Sequence, residues 1–66
     1  MEIQLNGEAA RVPDGVTVAG LLEHLEIDLR RVAVEINRDV VRKTTYGDRA
    51  VVAGDSVEIV SFVGGG

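Results

Sequence analysis

Cysteine is absent from this chain, which removes disulfide staples, thiolate nucleophiles and cysteine-based metal sites together. Tryptophan is also absent, Tyr46 and Phe62 are the only aromatic residues, and His24 and Pro13 are the only histidine and proline. With so few of the side chains that carry catalysis, an enzyme in its own right is the weakest reading. No nucleophile–base pair stands out, and neither Ser56 nor Ser61 joins His24 in a recognisable motif. Basic residues are in the minority, 7 against 11 acidic, for a net charge of −4, so nucleic acid is a poor partner. Long apolar runs are missing and the chain opens Met1-Glu2-Ile3-Gln4-Leu5, with neither a signal peptide nor a membrane span. The expectation is a cytoplasmic protein with no membrane partner.

What is present is 66 residues of 45% hydrophobic content, one domain whose small core must be held by packing alone. The basic residues are unevenly spread: Arg30, Arg31, Arg38, Arg42, Lys43 and Arg49 fall in one stretch, opposed there only by Glu35, Asp39 and Asp48. A solvated basic face is the plain explanation, and a docking edge for an acidic partner the alternative.

The most distinctive stretch is the last. Val57-Glu58-Ile59-Val60-Ser61-Phe62 reads as a strand and runs through Val63 into Gly64-Gly65-Gly66, which cannot continue one. Three glycines at an end are either a frayed terminus or a tool. Used as a tool, a tail extended over about 10 Å and bare of Cβ atoms enters a slot too narrow for other peptides, carrying the carboxylate of Gly66 with it.

Taken in order, Ile3 and Leu5 alternate with Glu2 and Gln4, the period of a half-buried strand. Asn6-Gly7-Glu8 is a hairpin turn, because Asn-Gly tolerates positive φ at both central residues. The second strand is read from Ala9 to Val12, with Ala10 and Val12 inward, and is closed by Pro13; Asp14-Gly15 turns the chain. A helix is expected from Val18 to Glu26 with Thr17 as N-cap, its stripe Val18, Leu21, Leu22 and Leu25 lying at helical spacing. Gly20 weakens that helix by about 1 kcal/mol relative to alanine, for which close approach of the helix to a sheet is one physical reason. His24 lies about 110° from the stripe's centre and is expected to be exposed and idle.

A third strand spans Val32 to Asn37, with Val32, Val34 and Ile36 on one face. Arg38-Asp39 reads as a turn, Val40-Val41 as a short strand, and Arg42 to Arg49, including Tyr46, as a polar loop. Ala53-Gly54-Asp55 launches the final strand. The order is β-β-α-β-β-β, an α+β arrangement in which one helix covers one face of the sheet. Strict alternation with Val57 and Ile59 inward puts Glu58, Val60 and Phe62 on the other face. An apolar patch of Val60 and Phe62 beside the tail's root reads as a partner site.

Met1, Ile3 and Asn6-Gly7-Glu8, then Gly15-x-Thr17-Val18-x-x-Leu21-Leu22, Val32-Ala33-Val34-x-x-Asn37 and Gly54-Asp55-x-Val57-Glu58-Ile59-Val60 into Phe62-Val63-Gly64-Gly65-Gly66 together resemble the ThiS family. These are the ubiquitin-like sulfur carriers of thiazole formation in thiamine biosynthesis. The resemblance covers essentially the whole chain. It implies a β-grasp domain over 1–63 with a flexible tail over 64–66, and first and last strands parallel in the middle of the sheet. Members often carry an acidic residue at the position of Gly20 and a glycine near Glu26, and many end in two glycines.

The resemblance also implies a role as protein cosubstrate rather than enzyme. A ThiF-type adenylating enzyme, using ATP and Mg²⁺ of its own, would activate Gly66; sulfur drawn from a cysteine desulfurase system would convert it to a thiocarboxylate; and a ThiG-type thiazole synthase would consume the sulfur. Gly64 and Gly65 would give access, and Val60, Phe62 and Val63 would bind the partners, with no cofactor and no metal held by this chain. Carriers for molybdopterin, cysteine or tRNA thiolation share the fold and the glycine end, as do ubiquitin-like protein modifiers. A plain β-grasp interaction domain is the reading in which the glycines are inert.

Overall fold

The computed structural model describes residues 1–62 of the chain. The expected division between a domain ending at Val63 and a tail of Gly64, Gly65 and Gly66 lies outside the described residues. Strands β1 (Glu2–Leu5) and β2 (Glu8–Arg11) form the first hairpin. Its turn has φ of 50° at Asn6 and 83° at Gly7, the positive values that an Asn-Gly pair supplies at low cost. Helix α1 (Val18–His24) follows, then β3 (Val32–Ile36), β4 (Asp39–Val41) and β5 (Ser56–Ser61). The five strands form one sheet in the order β2-β1-β5-β3-β4. β1 and β5 run parallel in its interior, with Gln4 opposite Ser56 and Leu5 opposite Val57, and every other pairing is antiparallel. This is the β-grasp arrangement the resemblance implied.

Alternation decides which side chains meet the helix. Ile3, Val32, Val34, Ile36, Val41 and Val57 point inward and are buried against Val18, Leu21 and Leu22 of α1. Each such side chain contributes roughly 1.5–3 kcal/mol relative to an exposed one, and without disulfides this layer is what holds the sheet to the helix.

Four expectations from the sequence are corrected. The helix stops short of Glu26, which has a φ of 59°. Ile27 N–H donates to Leu22 O at 2.9 Å and Glu26 N–H to Glu23 O at 3.0 Å, the paired bonds of a Schellman ending, whose left-handed residue is most often glycine. Gly20 does not face the sheet: a Cβ there would meet Thr17 Oγ1 at 3.5 Å and Val16 Cβ at 3.7 Å, an ordinary fit beside the cap. The second hairpin turns on Asn37-Arg38 rather than Arg38-Asp39, with φ of 51° and 73°, and β4 therefore begins at Asp39. Finally, Tyr46 is a core residue, only 2% exposed. A 3-10 turn at Lys43–Thr45 folds it beneath the start of α1, where Tyr46 O accepts Ala19 N–H at 2.8 Å.

Candidate functional site

β5 carries the chain toward the glycines, and its placement rests on side chains from both flanks. Ser56 N–H donates to Asn37 Oδ1 at 3.0 Å, and Asn37 Nδ2 donates to Asp55 Oδ1, also at 3.0 Å. Asp55 is buried, and its second oxygen accepts Val52 N–H at 2.9 Å, so the carboxylate is satisfied and the strand's start is pinned to the turn before it. On the other flank Asn6 Oδ1 accepts Ile59 N–H at 2.8 Å. The sequence marked Asn6 and Asn37 only as a turn residue and a strand end. A short amide side chain at positive φ directly after a strand was the signal of this second role.

The exit of β5 presents Val60, 55% exposed, and Phe62, 56% exposed, on the sheet face away from α1. Parity thus puts both where alternation predicted, and no twist returns Phe62 to the core. Val60 stands opposite Ala33 of β3, while Phe62 N–H donates to Arg31 O at 2.9 Å. Lys43 Nζ lies 5.1 Å from the centre of the Phe62 ring, a cation–π contact worth about 0.5–1 kcal/mol at an exposed site. The same Nζ donates to Arg30 O at 3.2 Å. Part of the basic stretch therefore surrounds the patch. Sequence reasoning noted the charge but not its position, which only the β3–β5 register supplies.

Asp28 orders the approach to β3. Its Oδ1 accepts Arg30 N–H at 2.9 Å and Arg30 Nε–H at 3.1 Å, and its Oδ2 pairs with Arg30 Nη2 at 2.9 Å. The Arg30 guanidinium, then the Arg30 backbone N–H, pull the Asp28 carboxyl down to about 2. This arrangement shapes a turn and performs no chemistry. His24 is exposed at the end of α1. Among the described residues no cluster of His, Cys, Asp or Glu suits a metal ion, and no helix is long and apolar enough to cross a membrane. The arrangement can present a surface and a tail. Val63 and the expected tail residues Gly64, Gly65 and Gly66 lie beyond the described residues.

The model of the ThiS family matches residues 3–66. A thiazole synthase of Paramagnetospirillum magneticum is 46% identical over all 66 residues, but the chain spans only 20% of that protein's length. A second thiazole synthase, from Magnetococcus marinus, is 44% identical and is also spanned over 20% of its length. The sulfur carrier protein ThiS of Bacillus subtilis is 35% identical over 97% of this chain and 98% of its own. The crystal structure of the thiamine biosynthesis protein ThiS from Geobacter metallireducens superimposes with a TM-score of 0.87 at 32% identity, covering all of both chains. A β-grasp sheet that ends in an exposed apolar patch before a glycine run, matched in sequence and in fold to these proteins, places the chain in a single group: it belongs to the ThiS family, the sulfur carriers of thiamine biosynthesis.

Proposed function

We propose that this chain carries sulfur as a thiocarboxylate on Gly66. A free carboxylate is a poor acyl electrophile. A ThiF-type enzyme would transfer the AMP of ATP to it, releasing pyrophosphate. The terminal sulfur of a persulfide would then attack the acyl carbon and expel AMP, and a thiol would cleave the S–S bond to leave the thiocarboxylate. Gly64 and Gly65 give the tail its narrow profile, while Val60, Phe62 and Val63 form the docking surface at its root. The exposure of Val60 and Phe62 at the exit of β5 is the observation that carries the docking part of this reading.

A ThiG-type thiazole synthase is the acceptor this reading favours. Support comes from the two thiazole synthases that contain a stretch of 66 residues similar to this chain: a carrier and its acceptor joined in one polypeptide act at high effective concentration. The immediate sulfur source is assigned to a cysteine desulfurase system on chemical grounds alone.

The test is the intact mass of the protein isolated from cells that hold its partner enzymes, before and after a thiol-selective alkylating agent. An alkylatable species mapped to Gly66 is the expected result. A tail that stays a plain carboxylate with ATP, the adenylating enzyme and a sulfur source supplied would remove the reading.

A further inference from the structure

The backbone of β5 has one side that the sheet does not use. Asn37 N–H donates to Ser56 O and Phe62 N–H to Arg31 O. In the register that sets Glu58 opposite Glu35 and Val60 opposite Ala33, even-numbered residues of β5 therefore turn their backbone groups to β3. Val57, Ile59 and Ser61 turn theirs the other way, to β1. But β1 is short. Its ladder with β5 ends at Leu5 and Val57, Asn6 N–H reaches Val57 O at 2.9 Å, and there the chain swings off through the Asn6-Gly7 turn. The next backbone groups, those of Ile59, are met by a side chain: Asn6 Oδ1 accepts the N–H at 2.8 Å and Asn6 Nδ2 approaches the C=O at 3.4 Å. One step further, Ser61 is exposed, and neither its N–H nor its C=O has a partner among the described residues.

We infer that this open edge at Ser61 pairs with an extended backbone segment of the enzyme that adenylates Gly66, adding a strand alongside the exit of β5. The inference rests on the proposed function, since it takes Gly66 as the group to be delivered. Three observations select this occupant. The Asn6 side chain occupies Ile59, so pairing starts at Ser61 and runs only toward the glycines. A second copy of this chain, pairing symmetrically about Ser61, would gain a single residue pair, too little for a stable two-strand contact. Gly64, Gly65 and Gly66 have no side chains, so a partner that aligns them must do so through the backbone, and strand addition is the mode in which main-chain bonds supply the affinity. Val60 and Phe62, on the adjoining face, give the same partner its side-chain anchors.

Proline at Ser61 is the discriminating change. The Ser61 N–H points to the open side, so Ser61→Pro removes the donor without taking a bond from the β3 ladder, whereas Ser61→Ala keeps the backbone. Titration calorimetry against the adenylating enzyme of the same organism is expected to show Ser61→Ala binding within about twofold of the unchanged chain and Ser61→Pro about tenfold weaker, the size of one net hydrogen bond. Amide exchange needs no variant: the Ser61 N–H should exchange fast in the free protein and slowly in the complex. Equal binding by the proline and alanine variants, or a Ser61 N–H that exchanges in the complex as it does when free, would overturn the inference. So would concentration-dependent self-association that Ser61→Pro abolishes, because the edge would then belong to a second copy. ATP-dependent modification of Gly66 is followed in the same preparation: if it occurs while Ser61 stays unprotected, the edge pairing alone is wrong, and if it never occurs, the carrier reading falls first.

Discussion

Glu26 sits at a φ of 59° in the ending of α1, where an L side chain costs roughly 1–2 kcal/mol that glycine does not. Glu26→Gly is therefore expected to raise stability by about 1 kcal/mol in urea denaturation, with no gain from Glu26→Ala, which keeps the Cβ. An equal gain from both variants would show that charge and not backbone geometry is responsible. Tyr46 poses the opposite problem. Its ring is buried but its hydroxyl has no hydrogen-bond partner, and an unpaired buried polar group costs about 1–3 kcal/mol. Tyr46→Phe should be neutral or stabilising, and Tyr46→Ala should cost about 3–5 kcal/mol. A clear loss on Tyr46→Phe would mean that the hydroxyl is satisfied after all. Neither residue announced itself. Tyr46 lies in a run of polar residues whose local chemistry reads as loop, and a glutamate has no preference for left-handed backbone that would flag Glu26.

At the scale of elements, the 3-10 turn Leu29–Arg31 depends on one carboxylate. Asp28 titrates near 2 in the folded chain against an ordinary 3.8, because Arg30 bonds its ionised form. A carboxyl whose pKa is lower folded than unfolded binds fewer protons in the native state, so its contribution is complete above about pH 4 and disappears as the pH falls through about 2. An NMR titration should place the Asp28 midpoint near 2 and move it up toward the ordinary value in Arg30→Ala. A midpoint at the ordinary value in the unchanged protein would show that the pair does not persist in solution. The strands were legible by contrast. Period-two alternation located β1, β3 and β5, and the same rule placed Val60 and Phe62 outside before any sheet was known. The second hairpin slipped by one residue because Asn37-Arg38 lacks the glycine that made Asn6-Gly7 plain.

For the whole molecule, the division of labour between faces is the functional device: α1 closes one side of the sheet, and the other is left to present the exit of β5. Phe62→Asp should weaken binding to the adenylating enzyme by tenfold or more, while stability changes by only about 0.5 kcal/mol, as for other exposed positions. Calorimetric binding and thermal unfolding on the same sample separate the two, and a collapse of the fold would show that Phe62 belongs to the core.

The order β-β-α-β-β-β, the face of each strand, the cap at Thr17 and the family were determined by the amino-acid sequence alone, because each depends on neighbours a few residues apart or on motifs in fixed order. Which strand lies beside which, and where each stops, is a matter of contacts between residues as distant as Asn6 and Ile59. The burial of Tyr46, the stacking of Lys43 on Phe62, the two asparagines that brace β5 and the open edge at Ser61 were accordingly decided only by the tertiary structure.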